Sequence, residues 1–301
     1  MQHKLNPLKP GDVVSLVSPS SHFKANDFLK GVAKLSAQGW SCQYRSDIFA
    51  KDMYLAGTDE RRAQELIQAL CDPLVKAVFF ARGGYGAMRI LQALDRIKKK
   101  PNPKIVAGFS DATAILYFVQ KRWGWPVFYA PSVNSFAGKA MTKISATQFI
   151  KELSGKNKYP QKVASLKVIK PGKAEGIIVG GCLSLVSRMI GTPYDQSYSG
   201  KILFLEDVGE DPYSIDRMLT HLRLAKKFKN LKGIIWGSLS ENKPELEYVR
   251  MLQSVFAQDS FPVLYDFPAG HQKDRHTFAL GGHVKMSSAK KTVEFLDSPF
   301  F

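Results

Sequence analysis

Cysteine is scarce in this chain. The three present, Cys42, Cys71 and Cys182, are odd in number and far apart, so neither a disulfide framework nor a metal-ligand spacing follows from them. They are expected to be buried thiols in a reducing compartment, with no metal and no cofactor. Long apolar runs are also missing: none approaches the roughly 18 residues that a spanning helix needs, so no membrane insertion is expected. The amino terminus, MQHKLNPLKPGDVVSLVSPSS, shows no charged segment followed by an apolar one and hence no signal peptide. A cytoplasmic location is the expectation, or a periplasmic one if a native leader has been removed. Acidic residues are outnumbered, 26 against 43 Lys and Arg, for a net charge of +17. Such an excess suits nucleic acid, acidic membrane or wall polymers, steering of an anionic substrate, or plain solubility. The lysines are scattered, however, with only short clusters such as KKKP (98–101) and KKFKN (226–230), whereas nucleic-acid binders concentrate charge and interleave aromatics. KRWGWPVFY (121–129) comes nearest to that look and reads better as a helix end followed by a core strand. No nucleic-acid partner is expected.

What is present is ordinary globular material, 45% hydrophobic and 23% charged. At 301 residues the chain is long for one core, which predicts two domains. The first half alternates as βαβ units do. DVVSLVSPSS is an apolar strand ending in a Ser-rich turn. NDFLKGVAKLSAQGW spaces apolar residues by three and four, as a helix stopped by Gly39. TDERRAQELIQALCDP carries Thr58 as N-cap, with Asp59 and Glu60 where the helix dipole favours them. VKAVFFA is a buried strand, RGGYG a loop, AMRILQALDRI a helix and KIVAGF the next strand. Continuous apolar strands between amphipathic helices predict a parallel sheet. Residues 138–165, rich in Lys, Ser and Gln, read as a connection between a domain at 1–137 and another at 166–301. The second half is strand-rich: AEGIIVGG, a helix from about 182 to 190, KILFLED, the helix PYSIDRMLTHLRLAKK, GIIWGS, a helix around 244–257, FPVLYDF, a hairpin in HTFALGGHVKMSS, and KTVEFLD. No internal repeat is evident.

In an open parallel sheet, ligands sit beyond the carboxyl ends of the strands. Three turns lie at such ends: SPSS (18–21), RGGYG (82–86) and GFSD (108–111). The last resembles a nucleophile elbow, small-x-Ser-x-small, although its second glycine is replaced by Ala112. Ser110 is therefore a candidate nucleophile, and helix capping by Ser110 or Asp111 is the competing account. Gly83 and Gly84 let backbone amides approach a ligand closely. With the N–H of Asp111, that of Gly84 could form an oxyanion hole. Walker and G-x-G-x-x-G patterns are absent, so nucleotide binding is poorly supported. A serine nucleophile needs a base, and the base an orienting acid. His221 lies within a helix and reads as structural; His276 and His283 flank the predicted hairpin as surface or edge residues. His271, in the loop DFPAGHQ after a strand, is the best-placed base. Glu206 and Asp207 end the buried strand ILFLED, where a carboxylate needs a partner such as histidine.

ARGGYGAMRIL, GFSDATAI, GGCLSLVSRMIGTPY, LEDVGEDPYSIDRML and FPAGH follow one another as in the murein LD-carboxypeptidases, which the chain resembles from about residue 11 to about residue 293. That serine peptidase family includes the microcin C immunity peptidases. The resemblance implies a homodimer of two-domain subunits. Each would have a Rossmann-like, class I glutamine-amidotransferase-like parallel-sheet α/β domain and a smaller, β-rich, swivelling α/β domain. It implies a metal-free triad of Ser110, His271 and Glu206, with oxyanion donors at Gly84 and Asp111. It also implies removal of the terminal D-alanine from a murein tetrapeptide. Arg82 or Arg217 is placed to recognise the substrate carboxylate, a structural ion pair being the alternative reading of each. Tyr85 and Glu210 are candidates for the pocket lining. Two other functions compete: hydrolysis of a peptidyl or aminoacyl nucleotide amide, and non-catalytic binding of wall peptide or nucleic acid.

Overall fold

The computed structural model describes residues 3–138, 141–237 and 245–301. The chain divides into two compact units: one takes in the chain through Lys156 together with Lys273–Ala279 and Pro299–Phe301, the other Asn157–Gln272 and Leu280–Ser298.

In the first unit the order is β1 (Val13–Val17), α1 (Ala25–Ser36), β2 (Ser41–Gln43), α2 (Asp59–Cys71), β3 (Val75–Phe80), α3 (Leu91–Leu94), β4 (Ile105–Gly108), α4 (Thr113–Trp123), β5 (Val127–Tyr129) and α5 (Lys143–Leu153). Strands β2, β1, β3, β4 and β5 pair parallel in that order, the α/β sheet that the apolar runs imply. Short-range signals set the boundaries. The Thr58 hydroxyl accepts the Arg61 N–H at 3.2 Å, capping α2, and Gly124 ends α4 in the left-handed region at φ 70°. Trp123 and Trp125 on either side of it are buried, as are Phe128 and Tyr129, so the aromatics of KRWGWPVFY belong to the core rather than to a base-stacking surface.

Several expectations are revised. AMRILQALDRI forms a 3₁₀ turn, Ala87–Ile90, and only a single α turn in α3. The stretch 138–165 holds α5, whose Thr142 hydroxyl accepts the Ser145 N–H; Lys139 and Ala140 lie outside the described residues. Cys71 is exposed and Cys42 half-buried; of the three cysteines Cys182 alone is buried.

Lys104 carries a consequence for stability. It is 4% exposed, and its ammonium donates to the carbonyls of Ala69 at 3.2 Å and Asp72 at 2.6 Å, satisfying the end of α2. Burial holds its pKa down, to about 8. The unfolded chain therefore binds the extra proton between about pH 8 and 10.5, and stability rises with pH across that window. From urea unfolding, the wild type is expected to gain about 1–3 kcal/mol relative to Lys104→Met between those values. Parallel stability curves would show that the ammonium does not feel this environment.

The second unit contains β6 (Gln161–Val163), β7 (Lys167–Lys170), β8 (Lys173–Cys182), α6 (Leu183–Arg188), β9 (Lys201–Glu206), α7 (Pro212–Leu224), β10 (Gly233–Trp236), α8 (Glu245–Val255) and β11 (Val263–Tyr265). After β12 (Phe278–Leu280) come β13 (His283–Ser287) and β14 (Thr292–Phe295). Ser238 and Pro244, at the ends of the predicted strand GIIWGS and the helix 244–257, lie outside the described residues. Among the described residues the sheet runs β6-β14-β13-β8-β9-β10-β11-β7. Its centre, β8 to β11, is parallel, and the flanking strands pair antiparallel. The predicted hairpin in HTFALGGHVKMSS is absent: β12 joins β5 at the edge of the first sheet, while β13 pairs with β8 and β14. Among the described residues, no helix is long and apolar enough to cross a membrane.

Candidate active site

In the first unit the site begins where β4 stops. Gly108 leaves no room for a side chain: a Cβ there would overlap the Phe80 ring and lie 2.9 Å from the Ala112 Cβ. Close strand–helix packing thus dictates the small residues flanking Ser110. Ser110 itself has φ 60°, a left-handed conformation uncommon for a non-glycine residue and the signature of a sharp strand-to-helix elbow. Its N–H donates to the Tyr129 hydroxyl at 3.4 Å.

The loop after β3 packs directly on this elbow. A Cβ added to Gly83 would sit 3.0 Å from the Ser110 Oγ and 3.7 Å from the Asp111 backbone nitrogen, so only glycine lets the loop come this close. Gly84 has φ 105° and lies against Ser21; a Cβ there would be 2.7 Å from that of Ser21. The Ser21 N–H donates to the Gly83 carbonyl at 3.4 Å, and the Ser21 hydroxyl accepts the Tyr85 N–H at 3.1 Å. The SPSS and RGGYG turns therefore hold one another.

Helix capping by Ser110 and Asp111 is corrected. No side-chain cap bond is made at the start of this turn or of α4. The Asp111 carboxylate, 2% exposed, reaches instead to the Ala87 N–H at 2.8 Å. Burial raises its pKa, against the pull of that N–H and of the Arg62 charge.

In the second unit Glu206 is the last residue of β9 and is fully buried. Its Oε2 lies 2.8 Å from Nδ1 of His271. With Oε2 as the acceptor, Nδ1 carries the hydrogen and the ring's lone pair lies on Nε2. Two glycines make space for this carboxylate. A Cβ on Gly237 would be 2.7 Å from the Glu206 Cβ, and one on Gly270 would be 2.6 Å from its Cδ. Asp207 has a different task. It accepts the N–H of Ser184 at 2.7 Å, at the start of α6, and that of Val208 at 2.9 Å; burial raises its pKa, and so does the neighbouring Glu206 charge. Cys182 stands beside Glu206 in the sheet register. Burial, then the Glu206 charge, push its thiol well above the ordinary range, so it is no nucleophile.

The remaining predicted residues divide between the units. In the first, Arg82 is exposed and donates to the His22 carbonyl at 2.9 Å, and Tyr85, half exposed, packs edge-on against Tyr54 with ring centroids 5.7 Å apart. In the second, the Glu210 carboxylate accepts the Ser214 hydroxyl, and Arg217 lies over the Tyr213 ring at 5.4 Å. Of the other histidines, His221 is exposed in the last turn of α7, and burial pushes His276 down to about 4. Among the described residues no group of three or more His, Cys, Asp or Glu is placed to hold a metal ion. Sequence reasoning noticed Gly83 and Gly84 as a pair but passed over Gly237 and Gly270. The glycine preceding His271 in FPAGH was the one available signal.

Comparison with known proteins places the chain among sequences and folds of one kind. Residues 14–130 match the family model described as LD-carboxypeptidase N-terminal domain, and residues 175–286 that of the LD-carboxypeptidase C-terminal domain. A probable murein peptide carboxypeptidase of Bacillus subtilis is 31% identical over 302 residues, covering 97% of this chain and 94% of that protein. The microcin C7 self-immunity protein of Escherichia coli is 26% identical, covering 97% and 95%. Among solved structures, a muramoyltetrapeptide carboxypeptidase from Oxalobacter formigenes superposes with a TM-score of 0.84 at 26% identity, over 95% of this chain and 99% of that one.

Proposed function

Since this chain belongs to the LD-carboxypeptidase family, we propose that it removes the terminal D-alanine of peptidoglycan tetrapeptides through an acyl-enzyme on Ser110. The observation that carries this reading is the Glu206–His271 pair, a buried carboxylate set between two glycines and bonded to one ring nitrogen at 2.8 Å, the form of an acid-oriented base that a serine nucleophile requires.

In the proposed cycle Nε2 of His271 takes the Ser110 proton as Oγ attacks the carbonyl that precedes D-alanine. Glu206 holds the tautomer and stabilises the imidazolium. The oxyanion accepts hydrogen bonds from the Gly84 and Asp111 N–H groups. Collapse breaks the C–N bond, and the departing amine takes its proton from His271. Water, deprotonated by the same nitrogen, then attacks the ester, and Ser110 recovers its proton. The nucleophile domain would be 1–137 and the domain supplying acid and base 166–301. Arg82 or Arg217 would bind the free carboxylate, and Tyr85 and Glu210 would line the pocket. Neither arginine forms an ion pair among the described residues: one donates to a backbone carbonyl and the other covers a ring. The homodimer, and action in the cytoplasm or periplasm, belong to the same proposal.

The microcin self-immunity relative supplies the alternative, hydrolysis of an aminoacyl nucleotide amide. Mass spectrometry of the products from murein tripeptide, tetrapeptide and pentapeptide, and separately from an aminoacyl sulfamoyl adenosine, separates the two. Loss of one alanine from the tetrapeptide is expected. Turnover of the nucleotide alone would transfer the assignment to the other branch.

A further inference from the structure

Arg62 lies in α2 within TDERRAQ, among the charged residues of the first turn. Its side chain is nevertheless completely buried, at 0% exposure. A guanidinium does not shed its charge, so burying one requires oxygen acceptors around it. Nη1 donates to the Pro19 carbonyl, and to the Gly86 carbonyl at 2.9 Å. Nη2 pairs with Asp59, whose carboxylate is also held by Arg89 at 2.9 Å. Pro19 belongs to the SPSS turn after β1, and Gly86 closes the RGGYG loop after β3. One buried cation thus ties two strand-end turns together.

The third turn enters through the same peptide group. Arg62 grips the carbonyl of the Gly86–Ala87 peptide, while Asp111, the residue after Ser110, accepts its N–H at 2.8 Å. That peptide unit is clamped from both ends. Space for the clamp is reserved by sequence: a Cβ on Gly86, at φ 130°, would lie 2.7 Å from the Arg62 Nη1. The loop needs such a clamp, because glycines at 83, 84 and 86 leave its backbone little stiffness of its own. Its first glycine packs against the Ser110 hydroxyl.

We infer that Arg62 is a positioning residue for the reaction, holding the 82–86 loop so that the Gly84 N–H faces the oxyanion. This rests on the assignment of Gly84 as an oxyanion donor made above. The test compares full-length Arg62→Ala, Arg62→Lys and Ser110→Ala on murein tetrapeptide. Arg62→Ala is expected to lose about 10²-fold in kcat, the scale of one oxyanion donor, with KM within about threefold. Guanidinium chloride, below denaturing concentration, should fill the vacated site and restore kcat about tenfold, whereas sodium chloride at equal ionic strength should not. Arg62→Lys keeps the charge but cannot span both carbonyls, and is expected to lose about tenfold in kcat while melting close to the wild type. If Arg62→Ala does not fold, Arg62→Lys decides. An unchanged kcat, a loss matching the unfolded fraction measured by circular dichroism, or failure of both variants to fold would overturn the inference while Ser110→Ala stays inactive. Activity in Ser110→Ala would instead remove the serine mechanism itself.

Discussion

Ser110→Ala is expected to lower kcat on tetrapeptide by at least about 10⁴-fold, towards the roughly 10⁶ seen when a serine nucleophile is deleted. The magnitude follows from its role. Without the hydroxyl there is no acyl-enzyme, and what survives is binding together with the oxyanion donors. Intact-protein mass spectrometry of the wild type during turnover should show an adduct one tripeptide acyl group heavier, absent in the variant. Stability separates this loss from misfolding. Because residue 110 has φ 60°, Ser110→Gly should be equally inactive yet more stable than Ser110→Ala by about 1 kcal/mol, glycine alone being unstrained in that region. A Ser110→Ala variant that keeps a tenth of wild-type turnover would end the serine mechanism.

The second large effect is expected at Glu206. Glu206→Gln preserves shape but removes the charge that stabilises the imidazolium, and it can present an N–H to Nδ1 and so reverse the tautomer. A loss of about 10⁴-fold in kcat follows by analogy with an orienting aspartate changed to its amide. Gly270→Ala attacks the same bond without altering any reacting group. The new Cβ would be 2.6 Å from the Glu206 Cδ, so the carboxylate must shift. A displacement of about 1 Å costs on the order of 10² in rate. The paired result matters more than either alone. Near-normal kcat in Glu206→Gln would mean that His271 is oriented by another group, and Asp207 is engaged with two backbone N–H groups.

Much of the fold was legible because its signals are local. Thr58 caps α2 and Gly124 stops α4, and both act within four residues of themselves. Apolar runs at 75–80 and 105–108 become buried parallel strands for the same reason that they look like strands, continuous β-branched and aromatic packing. The misreadings have equally local causes. α5 was hidden by its Lys, Ser and Gln content, although Ile150 and Leu153 follow Phe149, the last two buried. The sequence HTFALGGHVKMSS has hairpin composition, but strand pairing is a non-local choice, and β12 found its partner in β5.

What the amino-acid order determined by itself was the set of strand-end turns and the residue types placed on them: serine at an elbow, glycines in a loop, a glutamate ending a buried strand, and a histidine after a glycine. Short-range sterics and capping suffice for that. Tertiary structure alone decided which carboxylate takes the imidazole, since Glu206 and Asp207 are adjacent in sequence yet one meets His271 and the other a helix start. It also decided that Arg62, in the same charged turn as the exposed Glu60, is buried between the carbonyls of Pro19 and Gly86. A charge is buried only where distant backbone oxygens converge on it, and nothing along the chain records that convergence.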